Sequence, residues 1–569
     1  MGDMANPMHV SHMASWSRAF SLLALAATLI LTTGCPGDDE GGDPDGGGGQ
    51  DGGVDGGDGG DTDGGDPEGD GGVTGTVTIS GRVSYDFVPA VFSPVTGSGT
   101  LEFANASEKP ARNVAVQVVQ GSTILGTTET DAQGLYLVTV TTASTAPVSL
   151  VALAKTTTPP IQIEDNTDGD AVWGIGNTFT ITSSSVVKNL RATHGWTGST
   201  YDPGRRTAAP FAILDSMYTA SKAFMAVRSV TFPGLKVNWS PNNVPEGGNK
   251  AQGQIGTSHF AFADREIYVL GKMGADSDEF DSHVIVHEWG HYFEANLSRS
   301  DSPGGPHSAG DKLDPRIAFG EGYGNAIAAM VLPESVYTDT LWRGSASGQP
   351  QAFGFDAETE PTPTDDTEPG PFSEMSVQRV LYDLFDSGTN ETYDQTAVGL
   401  GPIYDVLTGP QRLTDAMTTI GSFVAGLKQQ QGVNATAVNT LLNHYSIGPI
   451  TSPFGDGDSE LRGMYTPVAI PVSRSIDLGG GFEFNTWEQN QYYVFTGNGA
   501  RVTISATSAS DVGIAAYRRG QKVGEADNNL SGTETFNFTS QADAQYILVL
   551  TGFETRQGNY SVSISIQSP

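Results

Sequence analysis

The stretch His287-Glu288-Trp289-Gly290-His291 is an HExxH box. Residues i and i+4 of an α-helix lie on one face, so the two imidazoles can face a single metal ion. Glu288 would then lie beside a metal-bound water, where a carboxylate acts as a general base. The box therefore predicts a zinc hydrolase site. The alternative is a core helix with a structural histidine pair, which would bury two neutral His and a Glu without partners at a high cost in free energy.

The residues around the box predict a helix over 281–297. Asp281 and Ser282 are the expected N-cap residues, because their side chains can accept from free backbone N–H groups. The apolar flank expected to bury this helix consists of Val284, Ile285, Trp289 and Phe293.

A catalytic zinc site needs a third protein ligand and one open position. The metzincin extension is excluded, because Glu294 and Leu297 occupy the positions of its glycine and third histidine. Residues 318–330 predict a second helix, which is small and apolar apart from Glu321 and Asn325. A lone carboxylate facing inward from such a helix needs a cation or a donor, and a metal at the box would supply one.

With these two helices the chain resembles the gluzincin metallopeptidases, the thermolysin-like clan, loosely over 211–388. The resemblance implies that Glu321 is the third zinc ligand. It also implies that Asn325, where the clan has an acidic residue, orients the first histidine of the box. The 29 residues between His291 and Glu321 exceed the gap in thermolysin itself, so the resemblance is to the clan and not to that family. The alternative third ligands in the intervening loop are His307, Asp311 and Asp314.

Length and composition set wider limits. A chain of 569 residues is long enough for three or four domains. Its 73 glycines and its net charge of −36 are typical of a β-rich extracellular protein with acidic low-complexity parts. Nucleic acid is not an expected partner, because this charge repels phosphate. Oligomeric state stays open.

The N-terminal region predicts export. Residues 19–31 form an apolar run that is too short to span a bilayer and suits a signal peptide. Leu31-Thr32-Thr33-Gly34-Cys35 follows and resembles a bacterial lipoprotein box, which implies residues 1–35 as the signal segment and lipid on Cys35. The protein would then be anchored in the bacterial cell envelope through the membrane, and plain secretion is the alternative. Residues 36–73 hold 13 acidic residues and no Lys or Arg, which indicates a solvated tether.

Two β-sandwiches are predicted on either side of the box region. Residues 74–200 contain ISGRVSY, ARNVAVQVV and TTETDAQGLYLVTV, and they resemble prealbumin-like, carboxypeptidase-regulatory domains. Residues 470–569 contain YYVFTGNGARVTISATS and YILVLTG, and they resemble the pre-peptidase C-terminal domain. Both resemblances imply support, binding or secretion rather than chemistry. The run 165–170 could bind Ca²⁺, and an acidic surface turn is the alternative.

Residues 206–465 are predicted to be the metallopeptidase-like domain. A core helix over 210–226 and strands over Leu235–Trp239 and 266–270 precede the box helix. The gluzincin resemblance implies that such a strand pairs with an extended substrate. The second half is predicted to be helical. Candidate donors to a developing oxyanion are Tyr382, His444 and Tyr445, and no spacing selects among them.

The predicted fold is multidomain: a β-sandwich, an α+β zincin-like catalytic domain with a helical second half, and a second β-sandwich. The predicted function is a zinc metalloendopeptidase in which His287, His291 and Glu321 hold one zinc ion. Glu288 would take the proton of the metal-activated water as it attacks a peptide carbonyl. The alternative is a non-catalytic surface binding or adhesion lipoprotein. A third reading directs the same chemistry at glycosylated surface proteins or peptidoglycan peptides.

Overall fold

The computed structural model describes residues 72–341, 352–359, 366–386, 391–457, 460–480, 485–556 and 558–569. The predicted signal segment, Cys35 and nearly all of the predicted tether lie outside these residues. The described residues belong to one compact unit. They form a mostly β, multi-sheet structure with its α-helices in the middle of the chain. No helix among them has the length and apolar composition needed to cross a membrane.

The first part of the described chain is all β. Its strands are β1 Gly75–Phe87, β2 Ala90–Ser93, β3 Ser98–Leu101, β4 Ser107–Pro110, β5 Ala115–Gln120, β6 Thr123–Glu129, β7 Leu135–Thr142, β8 Val148–Leu153, β9 Lys155–Thr157, β10 Pro160–Asp165, β11 Ala171–Val172, β12 Gly174–Phe179, β13 Ser185–Val187 and β14 Leu190–Ala192. One sheet joins β1 to β4, β7, β13 and β14, and another has the order β12-β8-β5-β6. In β7 buried and exposed residues alternate along the strand, so that Tyr136, Val138 and Val140 face the core.

The middle part contains the helices. Its elements are α1 Ala209–Val227, β15 Leu235–Trp239, β16 His259–Ala261, β17 Glu266–Val269, α2 Ser282–Leu297, α3 Pro315–Val331, β18 Val336–Asp339, β19 Phe353–Asp356, α4 Glu374–Phe385, α5 Leu400–Val406, α6 Ile420–Leu427 and α7 Ala435–His444. Helix α1 packs against the box helix α2, where Phe224 stacks on Phe293 with ring centroids 4.7 Å apart.

One sheet joins the first and middle parts of the chain. Its order is β11-β10-β15-β17-β16, with β9 paired to β10. Strands β10 and β15 run parallel, with Ile161 opposite Leu235 and Ile163 opposite Val237. All four side chains are buried, so the pairing also contributes to the hydrophobic core. The predicted division near residues 200–206 is therefore crossed by a continuous sheet, with β16 at its end.

The last part of the chain is a pair of β-sheets. Its strands are β20 Tyr465–Pro467, β21 Val472–Leu478, β22 Asn490–Thr496, β23 Arg501–Ser508, β24 Val512–Arg518, β25 Gln521–Ala526, β26 Gly532–Thr539, β27 Gln545–Gly552 and β28 Tyr560–Gln567. The orders are β20-β22-β27-β24-β25 and β21-β28-β23-β26. Tyr493 and Phe495 lie in the core between these sheets. Tyr492, Ile547 and Val549 belong instead to the core of the preceding parts. The sheet that contains β22 and β27 is therefore buried on both faces.

Candidate metal centre

Helix α2 carries His287, Glu288 and His291 on its buried length. Asp281 occupies the N-cap position, as the sequence predicts, but its side chain does not cap the helix. Its carboxylate accepts instead from the backbone N–H of Thr340, at 2.9 Å. The start of the box helix is thereby tied to the residue that follows β18.

Two glycines allow α2 and α3 to approach closely. A Cβ atom on Gly290 would lie 3.0 Å from Cγ2 of Ile327 and 3.3 Å from Cα of Gly324. A Cβ atom on Gly324 would lie only 2.8 Å from Nδ1 of His287. Gly290 is the fourth residue of the box, and Gly324 precedes Asn325. Any side chain at either position would collide with the other helix or with His287. This contact between the helices brings Glu321 over the two histidines.

The three predicted ligands converge on one point. The Nε2 atoms of His287 and His291 are 3.1 Å apart, and they lie 3.2 Å and 3.4 Å from Oε2 of Glu321. Bonds of about 2.0–2.1 Å from a tetrahedral zinc ion would place neighbouring donors about 3.3–3.4 Å apart. The donor types and their separations therefore fit a zinc ion. All three side chains are buried, at 3% exposure or less.

The second ring nitrogen of each histidine has an acceptor nearby. Nδ1 of His287 is 2.8 Å from Oδ1 of Asn325. Because an amide oxygen only accepts, Nδ1 carries the proton and Nε2 keeps its lone pair for the metal position. Nδ1 of His291 lies 3.6 Å from Oε2 of Glu294. Glu294, one of the two residues that excluded the metzincin pattern, thus lies behind the second histidine.

His307, which the sequence analysis named only as an alternative to Glu321, lies next to the same three residues. Its Nε2 lies 3.4 Å from Oε2 of Glu321, and its Nδ1 lies 2.9 Å from Oε2 of Glu374 on α4. The other two alternatives have different surroundings. Asp311 accepts from the backbone N–H of Ser308 at 2.9 Å, while Asp314 caps α3 and is paired with Arg316. The sequence carries no signal for the His307–Glu374 contact.

Burial and charge set the proton affinities of this group. Burial acts to raise the pKa of Glu321, but His307 and His291 hold it well below its usual range. Burial acts to lower the pKa of His307, but Glu321 and Glu374 raise it to about 9. Glu321 is thus held as the carboxylate that a metal ligand must be.

Glu288 is held by an edge strand. Its Oε2 accepts from the backbone N–H of Phe260, at 2.8 Å. Phe260 is the middle residue of β16, the strand at the end of its sheet. Burial raises the pKa of Glu288, and the two box histidines oppose that rise. Strand β16 was not predicted, and the predicted strands β15 and β17 lie inside the sheet.

The candidate oxyanion donors lie in other surroundings. The hydroxyl of Tyr445 donates to Oδ2 of Asp383 at 2.9 Å. His444 is exposed and stacks on Tyr393. Burial raises the pKa of Tyr382, with further contributions from acidic neighbours such as Glu358. The contacts of Tyr445 with Asp383 and of His444 with Tyr393 involve none of His287, His291 and Glu321.

The tyrosine that the structure does bring near the centre was not predicted. The ring of Tyr337, in β18, lies 6.4 Å from the ring of His287. The side chain is buried, and burial raises its pKa. The negative charges of Asp339 and then of Glu288 raise the pKa further. Tyr337 lies 46 residues after the last residue of the box, and nothing in its local sequence points to the site.

The family model described as Mycolysin C-terminal domain matches residues 228–445. The match includes α2, α3 and α4, with the box and Glu321. The chain carries a peptidase-associated module. This module spans 218 of the 569 residues, which is less than half of the chain. None of the curated proteins compared with the chain matches it.

Several solved structures are similar to short parts of the chain. The pre-peptidase C-terminal domain of a collagenase from Bacillus anthracis is 14% identical and covers 18% of this chain and 94% of its own, with a TM-score of 0.16. The surface-associated copper-binding protein CorA of Methylomicrobium album is 10% identical and covers 19% and 99%, with a TM-score of 0.14. The 5-hydroxyisourate hydrolase of Klebsiella pneumoniae is 14% identical and covers 21% and 92%, with a TM-score of 0.12. Scores this low decide nothing about fold.

Proposed function

We propose that this chain is a zinc-dependent metalloendopeptidase with a zincin-like catalytic part over 206–465. The observation that carries the proposal is the convergence of two imidazole nitrogens and one carboxylate oxygen, 3.1–3.4 Å apart, from two helices in glycine-mediated contact. His287, His291 and Glu321 would hold the ion. The match of residues 228–445 to a peptidase-associated domain supports the same assignment.

Zinc held there would act as a Lewis acid and would lower the pKa of a water molecule at the open coordination position. Glu288 follows the first proposed ligand directly, so its carboxylate would lie beside that position. It would take the proton of the attacking water and return it to the leaving amine. The N–H of Phe260 holds one of its oxygens, which leaves the other for this transfer. Burial raises the pKa of Glu288 towards the range in which a group can both accept and return a proton.

Strand β16 is the expected place for the substrate backbone. The N–H of Phe260 donates to Glu288, so this N–H points away from the neighbouring strand β17. Glu288 consequently lies beside the outer edge of the sheet. A peptide that lies along that edge in extended conformation, pairing with the carbonyl of Phe260, would place a carbonyl group of its own next to the proposed zinc ion and Glu288. The proposed partner is therefore a protein or peptide in extended conformation.

The location of the enzyme is proposed from sequence alone. Lipid on Cys35 would hold it at the bacterial cell envelope, and the acidic segment 36–73 would keep it away from the membrane. Secretion without a lipid is the other outcome. Mass spectrometry of the exported protein distinguishes the two, because a diacylglyceryl group on Cys35 adds a defined mass.

The decisive test combines metal content with cleavage of a peptide library. The wild type is expected to hold about one zinc per chain and to cleave. Glu288→Gln is expected to keep zinc and to lose about 10²–10⁴-fold in kcat, because it cannot accept a proton. Glu321→Gln is expected to lose zinc, while Asp311→Asn, the matched control in the preceding loop, is expected to keep it.

Two results would overturn the proposal. A wild-type protein without zinc after reconstitution would remove the basis for an enzyme. Zinc binding without cleavage, with Glu288→Gln indistinguishable from the wild type, would favour the surface-binding alternative.

A further inference from the structure

A second group of acidic side chains lies just before the box helix. Asp276 and Asp278 belong to the segment that leads into α2, and Asp339 is the last residue of β18. One carboxylate oxygen from each residue lies within 4.8 Å of the other two. The group shares no residue with the proposed zinc ligands.

Asp278 is the residue that points to a ligand. Its side chain is buried, at 3% exposure, and its Oδ2 accepts from the hydroxyl of Ser258. Its Oδ1 is also buried but has no hydrogen-bond donor among the described residues. A buried carboxylate oxygen without a donor is costly unless a cation binds it. Burial and then the negative charge of Asp276 raise the pKa of Asp278 well above its usual range.

Two acidic residues that follow Asp278 interact electrostatically with it. Glu279 is ion-paired with Arg206, whose guanidinium also donates to the carbonyl of Gly271 at 2.6 Å. Asp281 adds another buried carboxylate, with its oxygens held by Thr340. The guanidinium of Arg206 is thus engaged by Glu279, and Asp281 places a further carboxylate close enough to Asp278 for the two charges to interact.

We propose that Asp276, Asp278 and Asp339 bind a Ca²⁺ ion. Carboxylate oxygens are the ligands of hard divalent cations, and the flexible coordination of Ca²⁺ suits three side chains from two separate segments better than the strict octahedron of Mg²⁺. The ion would link the segment before α2 to the end of β18, where Tyr337 approaches His287. Through Ser258, which also accepts from the N–H of Leu270, it would stabilise the start of the β16 hairpin. The proposal does not depend on zinc or on peptidase activity.

The turn over 165–170, for which the sequence left calcium binding and an acidic surface turn both open, contains hydrogen bonds of its own. The N–H and hydroxyl of Thr167 donate to Oδ1 of Asp165, at 2.9 Å and 2.8 Å. The acidic turn is therefore closed by its own hydrogen bonds. Asp168 in this turn is exposed, which makes Asp168→Asn a matched control.

The test measures calcium binding to the full chain by isothermal titration calorimetry and thermal unfolding. The protein is stripped with a chelator and reloaded with zinc before CaCl₂ is added. The wild type and Asp168→Asn are expected to bind one Ca²⁺ per chain and to gain a few degrees in Tm, because a ligand that binds only the folded state stabilises it. Asp278→Asn and Asp339→Asn are each expected to lose both effects at unchanged zinc content. If one of these variants fails to fold, the other decides the question.

The proposal is overturned if the wild type binds no calcium. It is also overturned if Asp278→Asn and Asp339→Asn keep the wild-type stoichiometry and Tm shift, or if Asp168→Asn loses them. Unchanged zinc in all variants keeps this result separate from the proposed peptidase function.

Discussion

The ring of His287 is held from two directions. Oδ1 of Asn325 fixes the proton on Nδ1, and the backbone of Gly324 closes the space beside the ring. Even a methyl group on Gly324 would meet three ring atoms at 2.8–2.9 Å. The position of the first proposed ligand therefore requires glycine one helix away, at a residue that is not itself a proposed ligand.

Replacing this glycine tests the argument. Gly324→Ala is expected to displace the His287 ring, to cost about 1–3 kcal/mol in the free energy of unfolding, and to weaken zinc binding. Chelator competition and thermal unfolding measure the two effects. Gly409→Ala is the control, because no heavy atom lies within 4 Å of a Cβ built there. Equal zinc affinities for Gly324→Ala and the wild type would contradict the argument.

Sequence predicts the residues of the candidate metal centre only where spacing along a helix determines which side chains share a face. The box sets His287 and His291 on one face without any tertiary information. Glu321 and Asn325 follow from a second helix, and the structure brings both to the first histidine. His307 could not be separated from Asp311 or Asp314, because the path of a loop depends on contacts such as the one with Glu374.

At the scale of elements, local pattern predicts helices better than sheet neighbours. The core helix expected over 210–226 is α1, and the strand expected over Leu235–Trp239 is β15. The partner of β15, β10, lies more than 70 residues earlier and was assigned to a separate sandwich. Strand β16 has three residues, too few for an alternating pattern. These pairings depend on long-range contacts that short windows of sequence do not contain.

A buried hydrogen bond joins Asp383 of α4 to Tyr445, the residue that follows α7, and the stability of this contact depends on pH. Burial raises the pKa of Asp383 to about 8, although the hydrogen bond from Tyr445 opposes the rise. The unfolded value is about 3.9. Between these two values the folded state keeps the proton that the unfolded state has released, so the free energy of unfolding falls as pH rises.

We therefore expect Asp383→Asn to flatten the loss of stability between pH 4 and 8, by up to about 1.4 kcal/mol per pH unit. The amide keeps an acceptor for Tyr445 but cannot titrate. Denaturant unfolding at several pH values measures the slope. Asp543→Asn, at an exposed turn with positive φ that asparagine tolerates, is the control. Parallel curves for the wild type and Asp383→Asn would show that this carboxyl titrates normally.

At the scale of the whole molecule, the C-terminal sheets contribute to the start of α3. The hydroxyl of Tyr492 donates to Oδ2 of Asp314, the N-cap residue of that helix. The N–H of Asp314 donates to the carbonyl of Asn485, and the N–H of Trp487 donates to that of Lys312, at 2.8 Å and 2.9 Å. The sequence predicted a C-terminal sandwich that serves binding or secretion. It could not show that this sandwich is docked on the helix that carries Glu321, because docking adds no pattern to either segment.

Two adjacent tyrosines of β22 test this structural role. Tyr492→Phe removes the hydrogen bond to the charged Asp314, and we expect a loss of about 1.5–3 kcal/mol in stability together with weaker zinc binding. Tyr493→Phe is the matched control: its side chain points into the C-terminal core, and its buried hydroxyl has no hydrogen-bond partner among the described residues. Removing that hydroxyl is expected to be neutral or stabilising. Thermal unfolding and chelator competition for zinc compare the two variants. If they behave alike, the C-terminal sheets only cover α3; if Tyr492→Phe alone loses zinc, they help to hold the helix that carries the proposed third ligand.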